Sequence, residues 1–270
     1  MAVERFLKKL IERVIQVRAF ELSAQMAFYF LLSLFPFLIF VMTLLPMLGF
    51  DGKELVELVR PYVPEEAMKI IDDNIETIFA TKKKGMLSFS IVLTIWSASN
   101  AINGIVRALN HAYEIKETRS FFVSRMLAIL LTLGMIVVII VALLLPVFGK
   151  LIGNFIYFHL NLSEDFLVLW ETFRWLISFC VIAFVITGLY YIGPNKRLKF
   201  REVILGGLLA AVGWLLTSYG FSYYVSNFGN YSATYGSLGG VIVLMLWFYF
   251  SAFVLLLGGI FNVVWEQRNM

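Results

Sequence analysis

The sequence carries little charge, and its 270 residues include a single cysteine and two histidines. Charged residues make up 15% of the chain, whereas a soluble domain usually carries about 25%. A soluble domain of this size needs a charged shell around its core, but this chain is 60% hydrophobic with a mean hydropathy of +0.85. These proportions exclude an ordinary soluble protein and indicate a membrane protein.

The scarcity of cysteine and histidine restricts the chemistry open to the chain. Cys180 cannot form an internal disulfide or a multi-thiolate metal site, and the apolar run around it predicts a buried, inert thiol. His111 and His159 are predicted on opposite sides of the membrane, so they cannot share a metal ion. No P-loop, GxGxxG, GxSxG or HExxH pattern occurs. We therefore predict no catalytic residue, no cofactor and no metal site.

Charged residues mark where the chain can leave the bilayer, and five long uncharged intervals separate them. Four intervals suit one helix each, since about 20 apolar residues cross a bilayer core; they are residues 22–50, 85–106, 126–149 and 175–195. The fifth interval, residues 203–265, is too long for one span, and a cluster of turn-forming residues at 226–232 predicts that it folds back. The sequence thus predicts an all-α membrane protein with six transmembrane helices.

Two amphipathic segments complete the predicted single polytopic domain, which covers residues 1–270. Residues 1–22 place apolar side chains such as Phe6 and Leu10 along one side of a short helix and basic side chains on the other. This pattern is typical of a helix that lies in the membrane interface. Residues 51–84 form the one sizeable extramembrane loop, and helical spacing of its apolar residues predicts a small extracytoplasmic cap.

The distribution of lysine and arginine predicts the orientation of the chain. With both termini in the cytoplasm, 14 of the 22 basic residues fall on the cytoplasmic side, which is the sense of the positive-inside rule. The triplet of residues 82–84, all lysine, lies on the other side and opposes this assignment. We predict a multi-pass protein with both termini in the cytoplasm.

The second predicted span contains more polar residues than a lipid-facing helix tolerates. Five of these residues recur every three or four positions and so share one helical face; they are Trp96, Asn100, Asn103, Arg107 and Asn110, and Ser99 lies beside them. Carboxamides are costly against lipid, so this polar stripe must face other helices or a wet cavity. Interhelical hydrogen bonding and the lining of a substrate path both fit the pattern. The six residues are our candidates for lining such a path.

The last two spans are rich in small residues. Gly206 and Ala210 in the fifth span are four positions apart, and Gly258 and Gly259 lie in the sixth. Small residues at this spacing let helices approach closely in a membrane. The pattern favours a role in helix packing over a role in binding a ligand.

Several short motifs resemble, in their order and spacing, those of the bacterial YihY/BrkB family. They are AQMAFY at 24–29, LSLFP at 32–36, WSASN at 96–100, LNHAY at 109–113, YGSLGG at 235–240, LWFY at 246–249 and LGGIFN at 257–262. The resemblance implies six helices in the bacterial cytoplasmic membrane. Members of the family have been labelled ribonuclease BN, and others have been linked to serum resistance and envelope lipid handling.

The ribonuclease label does not fit the residues of this chain. Metal-dependent phosphodiester hydrolysis needs clustered acids or histidines, and the predicted cytoplasmic segments do not supply such a cluster. We expect no nucleic acid partner and no enzyme activity. The leading expectation is a transporter or lipid-translocating protein that contacts membrane lipids and carries a lipid or a small solute. A non-catalytic envelope scaffold that binds a partner through residues 51–84 is the alternative, a membrane-embedded enzyme is third, and homo-oligomerisation stays open.

Overall fold

The computed structural model describes residues 2–47, 84–160, 164–228 and 239–269. Regular structure in these residues consists of helices alone, which confirms the predicted all-α class. The helices are α1 (Ala2–Gln16), α2 (Ala19–Met47), α3 (Lys84–Ala112), α4 (Phe121–Leu160), α5 (Glu164–Ile192), α6 (Phe200–Phe228) and α7 (Gly239–Asn269).

Five of the described helices are long and apolar enough to cross a membrane. The segments concerned are Ser88–Ala112, Phe121–Val138, Leu169–Ile192, Phe200–Val225 and Gly239–Gln267. The first predicted span falls on α2, whose described apolar segment, Ala19–Leu34, is shorter than these. A multi-pass membrane protein is therefore confirmed, while the count of six spans stays a prediction. The cap predicted at residues 51–84 lies outside the described residues, apart from Lys84, which begins α3.

Several helices extend beyond the predicted spans. α4 has 40 residues and would rise about 60 Å at 1.5 Å per residue, roughly twice the thickness of a bilayer core. α5 begins at Glu164, well before the predicted start of its span at residue 175. Two of its early residues, Glu171 and Arg174, are charged and still helical. Charges near a helix end do not mark the end itself, so the helices extend past the predicted spans.

Arg174 lies in α5, one residue before the predicted start of its span at residue 175. Its residue surface is 4% exposed inside α5. Its Nη2 atom donates to Glu171 Oε1 at 3.2 Å one turn earlier, and its guanidinium lies 5.7 Å from the ring centroid of Trp175. A long charged side chain is tolerated near the end of a membrane helix when an opposite charge one turn away on the same helix pairs with it.

The chain divides into two compact units, one formed by Met1–Phe28 with Ser99–Met270 and the other by Tyr29–Ala98. In the second unit, the hydroxyl of Ser33 donates to Phe30 O at 2.7 Å, and that of Thr94 donates to Ser90 O at 2.7 Å. These hydroxyls bond to the preceding turn of their own helix, which satisfies them without a partner helix.

The core of the first unit lies where three helices pack against Gly258 and Gly259 of α7. A methyl group added at Gly258 would come within 2.6 Å of Gly206 O in α6 and 2.7 Å of the Tyr190 hydroxyl in α5. One added at Gly259 would overlap the side chain of Leu109 in α3. Four helices therefore meet at a point where any side chain on α7 would keep them apart.

Buried hydrogen bonds reinforce this contact. The backbone N–H of Gly206 donates to Asn262 Oδ1 at 2.7 Å, and Asn262 Nδ2 donates to Val203 O at 3.0 Å. The Tyr190 hydroxyl donates to Leu255 O at 2.5 Å. Asn262 is 1% exposed, and its carboxamide uses both ends between α6 and α7. The small residues of the last two spans are thus confirmed as a packing pattern.

α1 packs on the C-terminal part of α7 and presents three different faces. Phe6 contacts the rings of Phe261 and Trp265, with centroids 5.4 Å and 6.1 Å away. A second face carries three exposed apolar side chains one turn apart, Leu7, Ile11 and Ile15. The third face is polar. An exposed apolar face beside a polar one is the pattern of an interfacial helix, and the interfacial position of α1 stays a prediction.

We predict that Gly206→Ala destabilises the protein. The added Cβ would overlap the carbonyl oxygen of Gly258 and the side chain of Asn262, and overpacking of this kind costs about 1–3 kcal/mol. The melting temperature in detergent should fall by several degrees. Gly220→Ala is the matched control on the same helix, because a Cβ there meets nothing within 4 Å and alanine favours helix. Equal melting temperatures for the two variants would contradict the packing model.

Candidate functional site

Three residues of the polar stripe, Asn100, Asn103 and Arg107, lie on the face of α3 that is turned away from the core of the first unit. The opposite face is at most 2% exposed at Ala101, Ile105, Ala108 and Ala112. On the stripe, Asn100 and Asn103 are half-buried and Arg107 is exposed. The polar groups in the middle of the stripe are therefore accessible within the described residues, instead of being enclosed between helices.

Arg125 of α4 extends onto the stripe. Its Nη1 atom donates to Asn100 Oδ1 at 2.7 Å in a partly buried hydrogen bond. Asn100 lies 12 residues before the end of the 29-residue α3, which is about 18 Å along the axis and close to the middle of the helix. Both residues fall in segments apolar enough to cross a membrane. An ionisable side chain at such a place is expensive and marks a candidate functional site.

The stripe residues predicted from the sequence do not all come together. Asn103 and Arg107 share the accessible face with Asn100. Ser99 is 0% exposed and belongs to the core side, and Trp96 lies in the other unit, where it is 49% exposed. The candidate site in the first unit consequently consists of Asn100, Asn103 and Arg107, with Arg125 added from α4.

Asn110, the last residue of the stripe, connects two loops at the end of α3. Its Nδ2 atom donates to Glu117 Oε2 at 2.8 Å, and its Oδ1 atom accepts from the backbone N–H of Asn195 at 2.7 Å. The residue is only 4% exposed. Because both ends of the carboxamide are used, the structure assigns Asn110 a role in holding these loops together.

A second set of bonds strengthens the same junction. Arg119 Nη1 and Nη2 donate to the carbonyl oxygens of Gly193 and Pro194 at 2.8 Å and 2.7 Å. Asn195 Nδ2 donates to Thr118 Oγ1 at 2.7 Å. The carbonyls just after α5 have no helical partner, and the planar guanidinium satisfies two of them at once. We call the four side chains the loop clamp: Asn110, Glu117, Arg119 and Asn195.

The loop after α3 begins with a non-glycine residue in the left-handed region. Glu114 has a φ of 58°, its N–H donates to His111 O at 3.0 Å, and the N–H of Ile115 donates to Asn110 O at 2.8 Å. These bonds form a helix C-cap of the Schellman type. Arg13 Nη1 of α1 lies 2.7 Å from Glu114 Oε1, so α1 also holds this loop.

Tyr113 and Lys196 form a further contact beside the loop clamp. Lys196 Nζ lies 2.7 Å from Glu266 Oε1 and 5.1 Å from the ring centroid of Tyr113. Burial raises the pKa of Tyr113 above its ordinary value, and the carboxylates of Glu266 and Glu202 add to the shift. The phenol therefore stays protonated at neutral pH and serves as a neutral ring under the ammonium group.

The part of the chain that the structure describes contains no group of three or more His, Cys, Asp and Glu side chains that could hold a metal ion.

The prediction that Cys180 is buried was wrong, because its side chain is exposed on α5. An apolar run in a membrane helix contains positions that face lipid as well as positions that face the core. Hydropathy cannot separate the two.

Sequence reasoning missed Arg125 and most of the loop clamp. Arg125 was counted only as a basic residue of a loop, although it stands next to the apolar run that begins at Met126. A long cation so close to a span could have been considered as a side chain that reaches into it. Glu117, Arg119 and Asn195 gave no comparable signal, because their partners lie far away in the chain.

The chain is similar to known membrane proteins along most of its length. The family model described as virulence factor BrkB matches residues 10–270. A Bacillus subtilis (strain 168) protein named putative ribonuclease-like protein YfkH is 45% identical over 98% of this chain and 96% of its own. UPF0761 membrane proteins of Glaesserella parasuis serovar 5 (strain SH0165) and Vibrio vulnificus (strain YJ016) are 30% and 28% identical, over 84% and 98% of this chain and 78% and 83% of their own. No solved structure shows significant similarity.

We predict that Asn110→Ala destabilises the fold. The change leaves the partly buried N–H of Asn195 without its partner and removes one of the hydrogen bonds to the Glu117 carboxylate. A buried group left unsatisfied costs about 1–3 kcal/mol. The melting temperature in detergent should drop by several degrees. The neighbouring exposed residue provides the control, since His111→Ala should change stability by less than about 0.5 kcal/mol. Equal stability of the two variants would argue against the loop clamp.

Proposed function

Because the chain belongs to the family described as virulence factor BrkB, we propose that it is a transporter or lipid-translocating protein of the bacterial cytoplasmic membrane. The accessible face of α3 borders the path in this proposal. The observation that carries the proposal is the presence of four polar side chains, those of Asn100, Asn103, Arg107 and Arg125, within segments apolar enough to cross a membrane.

The environment of Asn103 favours a path over simple helix packing as the explanation of the stripe. Asn103 is half-buried, and among the described residues its carboxamide makes no hydrogen bond to the protein. An unsatisfied amide in hydrocarbon costs several kcal/mol. In this proposal, water or a polar ligand reaches the carboxamide. Interhelical bonding explains the contact between Asn100 and Arg125, but it does not explain Asn103.

Arg107 supports the same proposal from one turn further along α3. It is exposed, and it has no hydrogen-bond partner among the described residues. An arginine this close to a helix end can extend towards the membrane surface. Arg107, Asn103 and Asn100 thus extend the polar stripe from near the end of α3 to the middle of the helix. A polar substrate that enters the bilayer from this end would meet these groups in sequence.

We also propose that the protein has no enzyme activity, although the Bacillus subtilis relative is named a putative ribonuclease-like protein. We predict that the purified protein does not cleave RNA in Mg²⁺, Mn²⁺ or Zn²⁺, because a metal nuclease needs clustered ligands. Hydrolysis of labelled RNA would be measured over repeated purification steps. Activity that co-purifies with the protein and disappears in His111→Ala would contradict this prediction.

The scaffold alternative depends on residues 51–84, of which the structure describes only Lys84.

The double variant Asn100→Leu with Asn103→Leu tests the path itself. Leucine keeps the side-chain size and removes both carboxamides. We expect a melting temperature near that of wild type, because a wet path would already solvate both amides, and a clear loss of transport because the polar path is interrupted. If the carboxamides only join helices, each change should instead cost about 1 kcal/mol of stability. Scrambling of labelled phospholipid and flux of small solutes would be measured in liposomes, per folded molecule.

Asn227→Leu is the control for the double variant. Asn227 is an exposed asparagine that bonds only to Tyr223 O on its own helix, so its loss should leave transport unchanged. If the double variant loses stability and keeps wild-type flux per folded molecule, the carboxamides of α3 are structural and the proposed path is wrong.

A further inference from the structure

We propose that the start of α6 binds an anionic phospholipid, with the headgroup at Arg197, Lys199 and Arg201 and an acyl chain along an exposed apolar face of the helix. We call these three residues the basic cluster. The cluster shares no residue with the polar stripe of α3, so this proposal and the proposed path are independent of each other.

The basic cluster lies where the chain connects two spanning segments. The segment in α5 ends at Ile192, and the segment in α6 begins at Phe200. A connection of residues 193–199 is too short to cross a membrane, so it keeps these two ends on the same side. The cluster therefore borders the apolar part of α6 directly and is not part of a separate domain.

Buried neighbours hold the basic cluster outward. Leu198 and Val203 are buried, and they flank the start of the helix. The N–H of Lys199 donates to Glu202 Oε2 at 2.8 Å, which is the bond that the acidic residue of a capping box makes. All three side chains of the cluster are exposed, and they make no side-chain hydrogen bond or ion pair with the described residues.

The carboxylates around this connection leave an excess of positive charge. Residues 196–202 carry four basic side chains and one carboxylate, and Glu266 neutralises Lys196 at 2.7 Å, so a net charge of +2 remains. The loop after α3, which the loop clamp joins to this connection, adds two carboxylates with partners of their own. Glu114 pairs with Arg13 at 2.7 Å, and Glu117 accepts from Asn110 at 2.8 Å.

An exposed apolar row continues from the basic cluster along α6. Its residues follow Arg201 at intervals of four, three and four, so they share a helical face with that arginine; they are Leu205, Leu208 and Val212, and all three are exposed. From Arg201 to Val212 the helix rises about 16 Å, which is close to half the thickness of a bilayer core. A cation at the head of such a row suits a ligand with an anionic head and an apolar chain.

Two exposed aromatic rings lie beside the basic cluster. Phe200 stands between Lys199 and Arg201 in the chain, and its ring centroid is 6.2 Å from that of Tyr191 at the end of α5. Aromatic rings of this kind are enriched where headgroups meet acyl chains. A phospholipid uses the charge, the rings and the apolar row together, whereas a free anion or a nucleic acid uses the charge alone.

Native mass spectrometry of the full chain in dodecylmaltoside tests the site with an equimolar mixture of phosphatidylglycerol and phosphatidylcholine that carry the same acyl chains. We expect the first bound lipid to be mainly phosphatidylglycerol. The triple variant Arg197→Gln, Lys199→Gln and Arg201→Gln should lower the ratio of bound phosphatidylglycerol to phosphatidylcholine roughly tenfold or more, because each basic residue at an anionic surface contributes roughly a factor of five.

The melting temperature of the triple variant should stay near that of wild type, because the three side chains are exposed and bond to no described residue. Arg201→Gln alone should lower the lipid ratio roughly fivefold, and this variant decides the test if the triple variant does not fold.

The matched control removes the same number of charges from α1, with Arg5→Gln, Lys8→Gln and Lys9→Gln. These side chains are also exposed, but Glu4 and Glu12 lie among them on the same helix and partly cancel their charge. The ratio of the two bound lipids should therefore stay close to that of wild type.

The outcomes distinguish a lipid from other anions. An unchanged ratio in Arg201→Gln, or an equal fall in the α1 control, would overturn the site. Glycerol 3-phosphate carries a phosphate without acyl chains and should not displace phosphatidylglycerol at equal concentration. Displacement by this compound would overturn the lipid proposal in favour of a free anion, and displacement by a short RNA oligonucleotide would overturn it in favour of a nucleic acid.

Discussion

The close approach of four helices at Gly258 and Gly259 is the constraint on which the rest of the first unit depends. In a bilayer, apolar side chains gain little by leaving lipid for one another, so packing distance and polar bonds decide how helices associate. Leu109 of α3 and Tyr190 of α5 fill the space that α7 leaves open at these glycines. Since Leu109 must face this point, the rotation of α3 about its axis is set. Asn103 and Arg107 then lie away from the core as a matter of helical geometry.

Asparagine occurs in three environments in this unit, and each has a different consequence. Asn262 is satisfied at both ends between α6 and α7, where it strengthens the core. Asn110 is satisfied at both ends by the loops it joins. Asn103 bonds to no described residue and stays accessible. The first two are explained by folding alone, because a buried amide needs its partners. The third has no such explanation within the described residues, and it is the one that the proposed path accounts for.

Parts of this arrangement could be predicted from the sequence. The helices follow from uncharged runs of spanning length, and the packing of α6 on α7 follows from small residues such as Gly206 and Gly258. The burial of Arg174 and the exposure of Cys180 could not be predicted, because hydropathy reports how apolar a segment is and not which way each side chain faces. The bond from Asn110 to Asn195 joins residues 85 positions apart, and no local pattern encodes such a pair. The contact of Arg125 with Asn100 likewise depends on how α3 and α4 are paired.

The loop clamp and the candidate site are connected through the chain that joins them. Arg107 lies one turn before Asn110, and Arg125 follows Arg119 by six residues, so three of the four clamp residues lie between the two arginines in the sequence. Because Asn110 and Arg119 hold both ends of this connection to the segment after α5, they restrict how α3 and α4 can move relative to each other at this end. Asn110, the last residue of the stripe, is therefore structural: its bonds hold the end of α3 that carries Asn103 and Arg107.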